Sequence, residues 1–250
     1  METIRVDTPS AGWRSSAESA ARRLAAITTA GAVLGLLVGG VGGRLAMMLL
    51  ARLNPGVTGV TSDDGFRMGQ FTVPATVNLL IVGLGFGLVG AAVYAVVRCL
   101  MVGPRWFQVL SVAVGPAVVV GAGIVHTGGV DFDLLAPAWL AIAVFVAIPG
   151  VYAGLLTLVA ERMLSEDGWF ARAPTARATA ALALWVVFFP LLPLLAVLVL
   201  LWVGREARRR TPRGAIAVGH PAIPWAARAG LVAAFSLGLA DLGQDAAELL

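Results

Sequence analysis

Apolar runs of bilayer-crossing length recur along these 250 residues, and they leave few folds open. A hydrocarbon core about 30 Å thick needs roughly 20 residues of helix. Runs of that order cover about 24–50, 73–101, 107–127, 134–164 and 178–204. A weaker sixth run, 223–242, is interrupted by Arg228. Hydrophobic residues make up 59% of the chain and charged residues 13%, against about 25% charged in a soluble domain. The fold class expected is therefore all-α, a polytopic transmembrane helix bundle of about six segments. Pro116, Pro149, Pro190 and Pro193 fall inside the runs. Membrane helices accommodate such kinks where neighbours satisfy the freed carbonyls. The division expected is a polar, mobile tail over 1–23, five spans over 24–204 with an outer loop at 51–72, an arginine-rich loop at 205–222, and a sixth span with an acidic tail at 223–250. The first apolar run is too long for a secretory leader and lacks a clean A-x-A exit, so it reads as an uncleaved span.

The charges give an orientation. All 18 basic residues are arginine, and arginine-rich loops stay on the cytoplasmic side. Arg5, Arg14, Arg22 and Arg23 precede the first run, Arg98 and Arg105 follow the second, and Arg162, Arg172 and Arg177 follow the fourth. The loop "HTGGVDFD" has no arginine. The first four runs thus predict a cytoplasmic N-terminus, with loops one and three outside. "REARRRTPRG" breaks the pattern, because simple counting puts its arginines outside. Three resolutions stand open: a fifth segment that is re-entrant and turns at "FFPLLP", a sixth that lies at the interface, or a failure of the rule. The net charge of +4 and pI near 10.5 do not point to nucleic acid, because the arginines flank apolar spans as membrane anchors do.

Within the first run, Gly31, Gly35, Gly39 and Gly43 recur every four residues, on one helical face. Lipid gives no hydrophobic drive between helices, so association rests on close packing, which small residues permit. Gly83, Gly87 and Ala91 repeat the spacing in the second run, Ala113, Ala117 and Gly121 in the third, and Gly150 and Gly154 in the fourth. The first two runs are expected to pack along these faces; a seam between two copies is the alternative. Arg44 follows about 20 residues, or roughly 30 Å of helix, after Leu24. That places it near the outer interface, where a guanidinium can snorkel. The charges expected beside it are Asp63, Asp64, Arg67, Asp131 and Asp133. A structural ion pair or a headgroup contact is the simpler role, and a gate or solute contact the sharper one.

In the outer loop, Asn-Pro-Gly is a turn signal, and Asp64-Gly65 between "VTGVTS" and "FRMGQFTV" suggests a short extracytoplasmic β-hairpin. His126, Asp131 and Asp133 form a weak candidate metal site of hard-ligand character, although an aspartate ahead of Pro137 suits a helix cap better. Asp241, Asp245 and Glu248 share one face of a helical tail. Cys99 is the single cysteine, which excludes an intrachain disulfide and a cysteine-based zinc cluster. The sequence "GVGGRL" fails as a dinucleotide fingerprint, having Leu45 at the third glycine position and no preceding strand. No catalytic motif appears; Asn78, Tyr94, Ser111 and Tyr152, the main polar residues of the spans, form no evident set. No cofactor and no enzymatic activity are expected.

The stretches "GGRLAMMLLARLNPGVTGVTSDDGFRMGQFT" and "VDFDLLAPAWLAIAVFVAIPGVYAGLL" resemble a group of uncharacterised integral membrane proteins of high-GC actinobacteria. Shared features are a G-R-L-x-M end to the first helix, an N-P loop, and a D-F opening to a later helix. The resemblance implies a bacterial inner-membrane location and a similar helix count, and it implies no reaction. The expected partners are the lipid bilayer and, through the glycine faces, a second copy or other membrane subunits; nucleic acid is not expected. The function expected is binding or passage of a small solute or lipid. The alternative is a structural or accessory subunit that scaffolds partners without chemistry.

Overall fold

The computed structural model describes residues 9–61, 67–127, 134–211 and 222–249. Among these it is helical throughout apart from turns and one antiparallel bridge between Thr61 and Arg67. Six helices are long and apolar enough to cross a membrane, so the chain is an all-α bundle. The first is continuous from the N-terminal segment to the outer loop: α1 (Pro9–Leu34), a π-helical stretch (Gly35–Gly42) and α2 (Gly43–Leu53). Helix therefore begins well inside the segment expected to be a loose tail. Arg22 gives a physical reason. Its Nη1 donates to the carbonyls of Phe170 (3.1 Å) and Ala173 (2.7 Å), and its Nη2 to Thr175 Oγ1 (2.6 Å) and Glu18 Oε1 (3.1 Å). These bonds hold the polar turns of α1 against the connector after the fourth span.

The second span, α3 (Val73–Val97), runs back from the loop that follows α2. The third is α4 (Arg105–Ile124) and the fourth α5 (Ala138–Met163). Small residues set the distances between them. A Cβ built on Gly31 would lie 2.5 Å from the Gly87 carbonyl oxygen and 2.7 Å from Ala91 Cβ, and one on Gly83 would lie 2.5 Å from Gly40 N. Side chains longer than hydrogen do not fit there. On the other side of the bundle, Gly150 meets Ala117 Cβ at 3.0 Å and Gly154 meets Ala113 Cβ at 3.3 Å, by the same measure. The π-helical turns alter the ladder inferred from regular spacing. Widening the helix turns Gly43 off the seam, where its nearest neighbour is Leu79 Cδ2 at 3.8 Å, and brings Gly40 onto Leu80.

The fifth apolar run is not one helix. Trp169–Arg172 (α6) and Thr175–Ala178 (α7) lead through a 3-10 turn into α8 (Ala183–Val187). The chain then breaks at Phe188 (φ −91°, ψ 59°), and α9 (Leu192–Arg209) follows. Thr175 sits on Glu18 and Arg22 of α1. Trp185 Nε1 donates to Thr28 Oγ1 at 3.1 Å, one turn and a half deeper. Phe188 reaches Gly85, the midpoint of α3, at 3.2 Å from a built Cβ. From there α9 returns: the Trp202 ring meets Trp13 edge-on at 6.2 Å, and the Arg210 guanidinium lies over Trp13 at 4.6 Å. Both ends of 175–210 thus lie at the end of the bundle that carries Trp13, here called the base; the opposite end is the mouth.

The last helix, α10 (Ala222–Leu249), starts at the base, where Arg228 Nε donates to the Leu100 carbonyl (2.9 Å). It passes Val119 at Gly238 and reaches the mouth, where Leu242 and Leu249 pack on the cluster of Leu50, Val57, Val125 and Leu135. It is longer than the weak run 223–242, and the acids Asp241, Asp245 and Glu248 ride on its mouth end.

Candidate functional site at the mouth

The loop between the first two spans folds over the mouth through two fixed points. Val57 is buried with Leu50, Val125 and Leu135. Asn54 closes a reciprocal pair with the third loop: its Nδ2 donates to the Ala136 carbonyl, and the Ala136 N–H donates to its Oδ1, both at 2.9 Å. Nδ2 also donates to the Leu50 carbonyl at 2.9 Å, closing the end of α2. Asn54 was legible in the sequence only as a turn residue. An amide directly after a helix end and before proline can cap that helix with its side chain, and here it also grips a neighbouring loop.

The expected hairpin contracts to the single Thr61–Arg67 bridge, supported by Gly59 N–H to the Met68 carbonyl (3.0 Å) and Met68 N–H to the Val60 carbonyl (2.8 Å). Gly59 (φ +90°) and Gly69 (φ +72°) bend the chain on each side, which cuts the extended pairing short. The Asp64-Gly65 turn itself lies outside the described residues.

Beneath this loop is a cavity of about 60 Å³. Arg44 and Arg67 line it together with Met47, Met48, Met68 and Phe145, and no carboxylate does so among the described residues. Arg44 Nη2 donates to the Gln70 carbonyl at 2.8 Å, and its guanidinium stands 5.4 Å from the Phe71 ring centre. Its Nε is buried and has no hydrogen-bond partner. A buried donor left unmade costs about 1–3 kcal/mol, more when charged, so this nitrogen is left short of a bond by the protein's own groups.

The other expected site residues fall as follows. Gly31, Gly35 and Gly39 lie against Gly83 and Gly87, while Gly43 does not. Asp63, Asp64, Asp131 and Asp133 lie outside the described residues, so the ion pairs expected for Arg44 are not among the contacts above. His126 is exposed, and no group of three metal-binding side chains occurs among the described residues. The residue at the N-cap of α5 is Pro137, which has no N–H and no side-chain acceptor; the aspartates expected to cap lie outside the described residues.

Polar groups that appeared scattered in sequence form two further clusters. Tyr94 Oη donates to Glu161 Oε1 (2.9 Å), and the Arg98 guanidinium makes a two-pronged ion pair with the same carboxylate, Nη2 to Oε2 at 3.0 Å and Nε to Oε1. This ties α3 to α5 at the base. Midway, Tyr152 Oη donates to the Gly87 carbonyl at 2.7 Å. Both clusters are closed by their own bonds, whereas Arg44 keeps one buried N–H without a partner. Compared with protein families, curated proteins and solved structures, the chain matches none of them.

Proposed function

We propose that this multi-pass membrane protein binds or passes a small solute or lipid at its mouth, through an anionic group of the ligand held at Arg44. The observation that carries the reading is a cavity lined by two arginines, Arg44 and Arg67, the first with a buried Nε that has no partner. A phosphate or carboxylate oxygen suits a guanidinium, and the methionine and phenylalanine walls suit an adjoining apolar part. Arginine distribution supports a cytoplasmic base and an outward mouth, and the resemblance to actinobacterial proteins supports a bacterial inner membrane. No covalent chemistry belongs to this reading.

The test is thermal stability of the purified protein in detergent with added phosphate, acetate or phosphatidylglycerol. A ligand at 100 times its Kd stabilises by about 2.7 kcal/mol. At least one anion should raise the melting temperature of the native protein and have no effect on Arg44→Gln. If Asp63→Asn with Asp64→Asn lowers stability as much as Arg44→Gln, and no anion stabilises the native chain, the arginine is a structural ion pair and the proposal fails. A second reading, an accessory subunit that scaffolds partners, draws on a separate observation: none of the most apolar 18-residue stretch is buried in α9 or in α10. A partner recovered in stoichiometric amount after mild solubilisation would favour it.

A further inference from the structure

We infer that the fifth apolar segment does not cross the membrane: residues 175–209 form a re-entrant hairpin, and the arginines at its returning end join those of α1 in one basic surface that docks on anionic phospholipid headgroups. Hydropathy alone marks Phe189–Arg209 as a span, by length and composition. Its contacts do not agree with a crossing. A crossing helix has its ends at opposite ends of the bundle. Here the segment begins at Thr175, bonded to Glu18 and Arg22, and finishes at Arg210, stacked on Trp13 and within 3.5 Å of Ser16 Oγ. Its turn at Phe188 reaches only Gly85, halfway along α3. The trace is consistent with the lengths: the incoming limb, Thr175–Val187, is too short to cross.

The chain then crosses five times. α1 to α2, α3, α4 and α5 are the first four crossings, and α10, running from Arg228 at the base to Leu249 at the mouth, is the fifth. The C-terminal end of α10 lies opposite the N-terminal end of α1. Arg205, Arg208, Arg209 and Arg210, which counting placed outside, now stand on the side of Arg14, Arg22 and Arg23, and the charge pattern ceases to conflict with the helix order.

Bringing these residues together has a chemical consequence. At the base, Arg22, Arg98, Arg172 and Arg210 are neutralised by Glu18, Glu161, Asp167 and Glu206. Arg14, Arg23, Arg205, Arg208 and Arg209 are exposed and have no ion-pair partner within 4 Å among the described residues. Arg14 and Arg23 lie on the polar turns that precede the apolar stretch of α1, and Arg205, Arg208 and Arg209 follow that of α9. This places guanidinium groups at headgroup depth, where each arginine adds to attraction for an anionic leaflet.

A cysteine scan and a lipid assay test the two halves together. Cys99→Ser removes the single native thiol, and Arg208→Cys or Asp241→Cys then supplies one on each expected side. In sealed cells, a membrane-impermeant maleimide should label Asp241→Cys and leave Arg208→Cys unlabelled until the membrane is opened. Arg14→Cys, made in the same background, should label as Arg208→Cys does; opposite labelling of these two positions overturns the hairpin, whichever way the bundle faces. For the second half, full-length protein in neutral detergent is titrated with short-chain phosphatidylglycerol or phosphatidylcholine, with binding read by native mass spectrometry. Phosphatidylglycerol should bind preferentially. The triple variant Arg205→Gln, Arg208→Gln, Arg209→Gln should weaken that preference on the order of 10- to 100-fold while its melting temperature stays near native, since these side chains are exposed. Equal binding of both lipids, or a triple variant that keeps the preference, overturns the headgroup role even where the hairpin stands.

Discussion

Replacing Gly31 by alanine should damage the bundle, while the same replacement at Gly43, in the same long helix, should not. In a helix, alanine is favoured over glycine by about 0.8–1.0 kcal/mol, so both changes begin with a gain. At Gly31 the new methyl would stand 2.5 Å from the Gly87 carbonyl oxygen and 2.7 Å from Ala91 Cβ. Neither neighbour can rotate away, one being backbone and the other a Cβ. Overpacking of this kind costs about 1–3 kcal/mol, and an unyielding neighbourhood belongs at the upper part of that range. The expected net effect is a loss of about 1–2 kcal/mol. At Gly43 the nearest atom is Leu79 Cδ2 at 3.8 Å, an ordinary contact, which leaves the helical gain of up to about 1 kcal/mol. With a melting shift of about 2–4 °C per kcal/mol for a chain of this length, the two variants should melt roughly 5–10 °C apart. Fluorescence-detected size exclusion after heating in detergent measures the difference directly. Equal melting temperatures, or a larger loss at Gly43, would refute the claim that Gly31 sits on the seam and Gly43 off it.

Two further substitutions probe the contacts that position the hairpin and the mouth. Thr28→Val keeps the shape but leaves the fully buried Trp185 Nε1–H without its acceptor, so it should cost about 1–3 kcal/mol in the same melting assay. Thr28→Ser restores the hydroxyl and should recover most of that loss; a valine variant as stable as native would show that the indole finds another acceptor. Asn54→Ala removes the two bonds to Ala136 and the one to Leu50. It should lower stability by about 1–2 kcal/mol and increase protease cleavage between residues 125 and 137, and unchanged cleavage would mean that the two loops are held by other contacts.

The first four spans were legible because their apolar runs are long and bounded by arginines or turn residues, and length is what a bilayer selects. The fifth segment was not, because hydropathy measures how far a run extends and says nothing of where its two ends lie. Pro190 marked a break, but only the bonds of Thr175 and the ring contacts of Trp13 show that the chain doubles back. The N-terminal turns of α1 were hidden for a related reason. Their stability comes from Arg22 reaching carbonyls more than a hundred residues away, and such a partner leaves no local signal. Counting helical rise put Arg44 at the end of the first span, and its bond to the Gln70 carbonyl lies there. The role of Gly40 was missed because a period of 3.6 residues was assumed through a stretch that is π-helical. The Tyr94–Arg98–Glu161 cluster joins residues on two helices, and no spacing rule connects them.

The turn at Phe188 beside the midpoint of α3 also sets the outline of the molecule. Both limbs of the hairpin add to the basal half of the bundle, and neither reaches the half toward the mouth. On the placement inferred above, the hairpin displaces lipid from one leaflet and not from its opposite. An insertion confined to one leaflet fits a curved bilayer with less strain than a flat one, which is the shape that the inferred hairpin would favour.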